Sequence, residues 1–145
     1  MRCRIILLAA SLVLLAPMAG AAQEAAGLTA ADGMAIRQVI ESQLEAFQRD
    51  DGASAFSYAA PSIQSKFGDP ATFMGMVRSG YAAVYRPREV EFRELRASGG
   101  TIRQEVLFVG PDGKAVIALY DMERQPDGSW RIKGVTLVTA PDVTA

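Results

Sequence analysis

Residues 35–49, AIRQVIESQLEAFQR, constrain the fold of this chain more than any other stretch. Apolar residues recur there three and four positions apart, which predicts an amphipathic helix. The apolar face of that helix consists of Ile36, Val39, Ile40, Leu44, Ala46 and Phe47. A helix of this kind has to bury its apolar face, and the strand-like second half of the chain supplies a surface for it.

Gln43 interrupts the apolar face, because it lies three residues after Ile40 and four before Phe47. A buried amide without hydrogen-bond partners would cost about 1–3 kcal/mol, so we expect Gln43 to have partners. Two interpretations stay open. Either the amide lines a pocket and contacts a ligand, or it bonds backbone groups of the loops around Asp50 or Pro61.

The N-terminus has the pattern of a secretory signal peptide over residues 1–22. Arg2 and Arg4 precede an apolar run at residues 5–16, and small residues follow it, so we expect cleavage after Ala21 or Ala22. The alternative, an uncleaved membrane anchor, is disfavoured because the apolar run is short for a span. The pattern predicts a periplasmic or secreted protein without a stable membrane span.

Composition excludes several classes of function. Loss of the signal segment would leave 13 basic and 16 acidic residues, a net charge of -3, with no basic block for nucleic acid. The only cysteine, Cys3, leaves with the signal, and histidine is absent. Cys/His zinc sites and His-based triads are therefore impossible, and no run has the spacing of a calcium loop. We predict no metal and no cofactor.

The first half of the remaining chain predicts helices. Residues 23–34 are expected to be a flexible lead-in, with Thr29 or Asp32 capping the first helix. Asp51 is placed to cap a short helix at 53–58, and Asp69-Pro70 is a typical start for a helix at 70–79. Residues 62–67 are expected to be one helical turn or irregular, and 81–85 a turn.

The second half predicts four strands, at residues 89–97, 101–109, 115–124 and 129–139, joined by short turns rich in glycine. Val90 and Phe92 share a face, whereas Leu95 has the opposite parity, which predicts a bulge near Arg93 and Glu94. The last strand is expected to place four residues on one face, namely Trp130, Ile132, Thr136 and Val138. Charged residues of the first two strands are expected to pair across strands on a solvated face.

Helices followed by hairpin-linked strands give an α+β domain over residues 35–139, with a tail at 140–145. The helices should pack on a curved, four-stranded antiparallel meander sheet, in a cone-like arrangement. At about 120 residues, such a domain buries roughly two-thirds of its unfolded surface and needs no disulfide.

Several motifs together resemble a known family. They are I-x-x-Q-L-x-A-F at 40–47, D-D-x-x-x-A-F-x-Y-A-A-P at 50–61, K-F-G at 66–68, F-M-x-M-V-x-x-G-Y at 73–81 and W-x-I-x-G-x-x-L at 130–137. The set is similar to an exported bacterial family of domains of unknown function within the nuclear-transport-factor-2-like, or cystatin-like, superfamily. The resemblance implies an α+β cone with a pocket, and it supplies neither a reaction nor catalytic residues.

Candidate pocket residues are Gln43 and six aromatic side chains: Phe47, Tyr58, Phe73, Tyr81, Tyr85 and Trp130. Tyrosine and tryptophan suit the mouth of an apolar pocket, because one end of the side chain is apolar and the other polar. The alternative is that these aromatic residues only pack the core or its rim.

Acid–base chemistry is a second hypothesis, since the resemblance implies a superfamily that includes isomerases and cyclases with a pocket carboxylate and a hydroxyl donor. The candidates are Asp50, Asp121, Tyr58 and Tyr120. For Asp50, helix capping is the alternative. Asp121 and Tyr120 face opposite ways on a strand, so Asp121 matters only if it shares the inner face with Ile117 and Leu119.

We favour non-catalytic binding of a small apolar molecule. The isomerase or cyclase hypothesis requires a carboxylate inside the pocket. A third hypothesis is an interaction module that forms a homodimer through its sheet, which requires an apolar patch on the outer face.

Overall fold

The structure, a computed structural model, describes residues 27–140. Within this range five helices precede four strands. The helices are α1 (Ala30–Gln48), α2 (Gly52–Ser57), α3 (Pro61–Phe67), α4 (Pro70–Gly80) and α5 (Ala82–Tyr85). The strands are β1 (Glu89–Ser98), β2 (Thr101–Val109), β3 (Ala115–Arg124) and β4 (Trp130–Thr139). The predicted signal segment, residues 1–22, lies outside the described residues, as do residues 141–145 of the predicted tail.

The four strands form one antiparallel sheet in the order β1-β2-β3-β4. Each strand pairs with its neighbour in the sequence, because short turns allow only that connection. The sheet is curled but not closed, and the helices pack against its inner face. The predicted α+β meander is confirmed. None of the described helices is both long and apolar enough to cross a lipid bilayer.

Helix α1 begins at Ala30, before the predicted start at Ala35. The Thr29 side chain accepts a hydrogen bond from the Asp32 amide at 3.1 Å, and the Asp32 carboxylate accepts one from the Thr29 amide at 2.9 Å. This reciprocal capping box fixes the first turn. The prediction that residues 30–34 belong to a flexible lead-in was therefore wrong. The cap at Thr29 starts the helix several residues before the apolar pattern from which its start was predicted.

The apolar face of α1 is buried against the sheet and the other helices. Ile36, Ile40 and Phe47 are among the most deeply buried side chains, and Gln43 is buried between them. The inner face of the sheet contributes Val106, Phe108, Ala118, Tyr120 and Met122 to the same core. The face that periodicity predicted for α1 is thus the face that packs.

The short helices follow local capping signals. The carboxylate of Asp51 accepts a hydrogen bond from the Ser54 amide at 3.1 Å, and that of Asp69 accepts one from the Thr72 amide at 2.7 Å. Both caps were predicted, and α2 and α4 begin where these caps require. Residues 61–67 form a complete helix where the sequence indicated one helical turn or an irregular segment. Residues 82–85 form a short helix where the sequence indicated a turn.

The predicted bulge in β1 is present between Phe92 and Leu95. Gln104, on the inner face of β2 and only 4% exposed, lies beneath it. Its Nε2 donates hydrogen bonds to the carbonyls of Arg93 and Glu105, both at 2.9 Å. A bulge leaves some backbone carbonyls without a partner on the neighbouring strand. The Gln104 side-chain amide supplies a hydrogen-bond donor to such a carbonyl in place of a backbone N–H.

The facing predicted for the second half of β4 was wrong. Thr136 is exposed and Val138 is 39% exposed, whereas Val135 and Leu137 pack against the core. Of the four residues predicted to share a face, only Trp130 and Ile132 lie on the buried face of β4.

A second bulge explains this reversal. Met122 pairs with Ile132, but Asp121 pairs with Gly134, so Lys133 is an extra residue in β4. One inserted residue changes the parity of everything after it, because side chains alternate with a period of two.

Carboxylates and arginines on β1 pair mainly along the strand. Arg93 contacts Glu91 at 3.4 Å, and Arg96 contacts Glu94, in each case two residues away. Because β1 is an edge strand, these pairs place charge along an edge that would otherwise be open to pairing.

We predict that Gln104→Leu lowers the free energy of unfolding by about 2 kcal/mol, because carbonyls at the β1 bulge lose their buried donor. Urea unfolding followed by circular dichroism measures this. Gln48→Leu, at an exposed position of α1, controls for the change of residue type and should leave stability nearly unchanged. Equal stability of the two variants would contradict the role of Gln104.

Candidate functional site

A pocket of about 60 Å³ lies between the helices and the inner face of β3 and β4. Helix α1 contributes Gln43 and Phe47 to its wall, and α4 contributes Phe73, Met76 and Val77. The wall is therefore built from the buried faces of two helices that were predicted from their apolar periodicity.

The remaining wall comes from the sheet and the helix junctions. Strand β3 contributes Tyr120, and β4 contributes Ile132, Gly134 and Val135 around its bulge. The junctions before α3 and after α4 contribute Ala59 and Tyr81, and helices α3 and α5 complete the wall with Ile63 and Val84. The β4 bulge turns Val135 inward, so the shape of the pocket depends on that irregularity.

The junction between α2 and α3 is fixed to the edge of β4. The Ala60 amide donates to the Ile132 carbonyl at 2.8 Å, and the Ile132 amide donates to the Tyr58 carbonyl at 2.9 Å. These two bonds hold Ala59 against Ile132 as an isolated parallel bridge. One side of the pocket is thereby anchored to the sheet by backbone bonds.

Gln43 both lines the pocket and bonds backbone. Its Nε2 donates to the carbonyl of Ala55 at 3.1 Å. Ala55 lies in the last turn of α2, where carbonyls have no amide partner inside the helix. The Ala59 amide bonds to the Phe56 carbonyl instead. The amide group of Gln43 thus bonds backbone at the end of α2, while its side chain forms part of the pocket wall. Contact with a ligand stays a prediction.

Tyr81 connects the end of α4 to β4 at the pocket. Its side chain is half-buried, and its hydroxyl donates to the Val135 carbonyl at 3.0 Å. A tyrosine in this position contributes an apolar ring to the wall while its polar end is satisfied by backbone.

Tyr120 differs from the other polar residues of the pocket. It is completely buried, and within residues 27–140 its hydroxyl has no hydrogen-bond partner. Burial raises the pKa of the phenol, because the charged phenolate is poorly solvated in the interior. The group is therefore a neutral hydrogen-bond donor at physiological pH, in an otherwise apolar wall.

Asp50 lies outside the pocket wall, at the end of α1. It has a positive φ of 52°, and its carboxylate accepts a hydrogen bond from the Tyr85 hydroxyl and pairs with Arg86 at 3.1 Å. These contacts, first Tyr85 and then Arg86, lower the pKa of Asp50 below its ordinary value. The carboxylate connects α1 to α5, and a lowered pKa makes it a weak base.

Asp121 lies on the outer face of the sheet. Arg103 donates to its two carboxylate oxygens at 2.7 and 3.1 Å. Asp121 does share a face with Ile117 and Leu119, but the helices pack on the opposite face, which carries Tyr120. The condition that would have placed this acid in the pocket is not met.

Of the residues predicted for a pocket, the structure brings together Gln43, Phe47, Phe73 and Tyr81. Three others lie elsewhere. Tyr58 lies at the end of α2, Tyr85 bonds Asp50, and the Trp130 ring is covered by Arg124 at 4.8 Å. Val77, Val135 and Gly134 also line the pocket and were not predicted, because apolar residues of this kind give no signal in the sequence that distinguishes a pocket wall from the core.

In the part of the chain that the structure describes, no three His, Cys, Asp or Glu side chains converge closely enough to hold a metal ion.

Comparison with known proteins assigns the domain. Residues 29–145 match the family described as a domain of unknown function, DUF4864. The chain belongs to the DUF4864 family. The match includes Thr29 and the whole of α1. No curated protein and no solved structure matches the chain.

In this DUF4864 domain we predict that Tyr120→Phe raises the free energy of unfolding by about 1 kcal/mol, because it removes a buried hydroxyl without a partner. Thermal and urea unfolding of the ligand-free protein measure the change. Tyr58→Phe, outside the pocket wall, should stay within about 0.5 kcal/mol of the wild type. A destabilised Tyr120→Phe would mean that the hydroxyl makes a structural hydrogen bond in the folded protein.

Proposed function

We propose that this DUF4864 domain is an exported, non-catalytic protein that binds a small apolar molecule in its pocket. The observation that carries the proposal is the chemistry of the wall, where carbon dominates and no described lining residue is charged. Burying a charged group against such a wall would be costly, so the enclosed part of the ligand is uncharged. Apolar walls with a few polar groups are typical of small-molecule sites.

The size of the pocket limits the ligand. A volume of about 60 Å³ is well below the roughly 300–1,000 Å³ of sites for drug-sized molecules. The pocket therefore takes a molecule of a few non-hydrogen atoms, or the apolar end of a longer one.

The isomerase or cyclase hypothesis is less well supported. It needs a carboxylate beside the bound molecule, whereas Asp50 and Asp121 are engaged with arginines outside the pocket wall. The described wall offers Tyr120 as a donor but no base of that kind. Binding without chemistry is the simpler use of these residues.

Export is part of the proposal and rests on the charged start, apolar run and small residues of positions 1–22. The protein isolated from the periplasm or medium should have the mass of a chain that begins at Ala22 or Gln23. A cytoplasmic protein that keeps residues 1–22 would contradict it. The curled sheet around α1 also supports, as a proposal, membership of the nuclear-transport-factor-2-like superfamily.

A second candidate function, homodimer formation through the outer sheet face, is favoured by one specific observation. Leu107, Ile117 and Val138 are direct cross-strand neighbours on β2, β3 and β4, and none of them is fully buried. This apolar row crosses the face opposite the helices, with Leu119 beside it. An identical row on a second copy is complementary to it, since two-fold contacts bring the same patch together.

We predict that Val135→Phe fills the pocket and reduces the ligand retained by the protein about ten-fold, equivalent to about 1.4 kcal/mol. The full-length protein is expressed, purified, incubated with a cell extract and repurified, and mass spectrometry identifies the molecules that solvent releases. Val90→Phe, at an exposed valine on β1, is the matched control and should retain the same compound as the wild type. Equal retention by both variants would place the ligand elsewhere, and no retained molecule in any sample would count against binding.

For the second candidate, Ile117→Glu should convert a dimer to a monomer, because it places a charge in the centre of the apolar row. Light scattering coupled to size exclusion measures the mass in solution. Lys114→Gln, in the turn before β3, lowers the net charge by the same one unit away from the row and should leave the dimer intact. A monomeric wild type at high protein concentration would overturn this candidate.

A further inference from the structure

Tyr120 Oη is the buried side-chain polar atom that lacks a hydrogen-bond partner within residues 27–140. Two other polar groups of the pocket bond backbone: Gln43 Nε2 donates to the Ala55 carbonyl, and the Tyr81 hydroxyl donates to the Val135 carbonyl. The Tyr120 hydroxyl, by contrast, is a buried donor that the described residues leave unused.

Packing alone does not account for this hydroxyl. The ring of Tyr120 lies 6.4 Å from that of Phe108, and its neighbours on the same face of β3 are Ala118 and Met122. A phenylalanine would fill the same space without an unsatisfied donor, which costs about 1–3 kcal/mol. A bound molecule could accept the hydrogen bond that no described residue of the folded chain accepts from this hydroxyl.

We infer that the ligand of this pocket carries one neutral hydrogen-bond acceptor, a ketone, ester or amide carbonyl, which accepts the proton of Tyr120 Oη. This inference rests on the proposed function and specifies the ligand's chemistry. A carboxylate is disfavoured because no described lining residue is a cation.

The inference also predicts a pH profile. Because burial raises the pKa of Tyr120 above its ordinary value, the hydroxyl stays protonated through the neutral and mildly alkaline range. Binding of a neutral carbonyl compound should therefore be constant from about pH 6 to pH 9.

A matched pair of small probes tests the inference. The probes are 2-butanone and 2-methyl-1-butene, which have nearly the same shape but differ in having C=O or C=CH₂. Titrations of the full-length protein are followed by methyl NMR signals of Ile132 and Val135, and the carbonyl stretch of bound 2-butanone is recorded by infrared difference spectroscopy. Tyr120→Phe is compared with Tyr58→Phe, which leaves the pocket wall unchanged.

We expect the wild type and Tyr58→Phe to bind the ketone at least about five-fold more tightly than the alkene, with a lowered carbonyl frequency. Tyr120→Phe should lose both the preference and the frequency shift while still binding the alkene. Equal ketone preference in the wild type and Tyr120→Phe would overturn the inference and leave apolar binding in place. Failure of both probes to shift any pocket methyl in the wild type would overturn the inference and the proposed function together.

Discussion

Burial of the apolar face of α1 inside a curled sheet is the interaction on which the rest of this structure depends. Ile36, Ile40 and Phe47 are excluded from water by the curled sheet together with the other helices. A flat sheet would contact the helix along a narrower strip and leave part of this face exposed. The hydrophobic gain from the helix and the curvature of the sheet are therefore coupled.

The curvature of the sheet depends in turn on bulges in its strands and on side-chain amides that bond the backbone carbonyls left without partners. Extra residues in β1 and β4 interrupt the ladder on both edges of the sheet. Gln104 donates to carbonyls at the first bulge, and Gln43 donates to the end of α2. The space left between α1 and β4 becomes the pocket. Two buried glutamines thus stabilise the backbone around the core, and neither is a sign of chemistry by itself.

Features set by neighbouring residues could be predicted from the sequence, whereas features set by distant partners could not. The α1 face and the caps Asp51 and Asp69 follow from local patterns, as does the β1 bulge. The β4 bulge was missed because residues on both faces there are similarly apolar. The contacts of Asp50 with Tyr85 and Arg86 could not be predicted, since both partners lie 35 residues or more away.

In the candidate site, Gln43 was predicted because its polarity contradicts the helical pattern. Three aromatic residues of the wall were also predicted, whereas its aliphatic residues were not. Tyr120 belongs to a run, AVIALY, that is apolar on both faces, and only the tertiary structure reveals its unpartnered hydroxyl.

The central feature of the structure is a small apolar pocket between α1 and β4. Xenon, which binds apolar cavities, tests it most directly. We expect saturable xenon-induced shifts at the Val77, Ile132 and Val135 methyls; shifts that are absent, or spread evenly over surface methyls, would contradict the account.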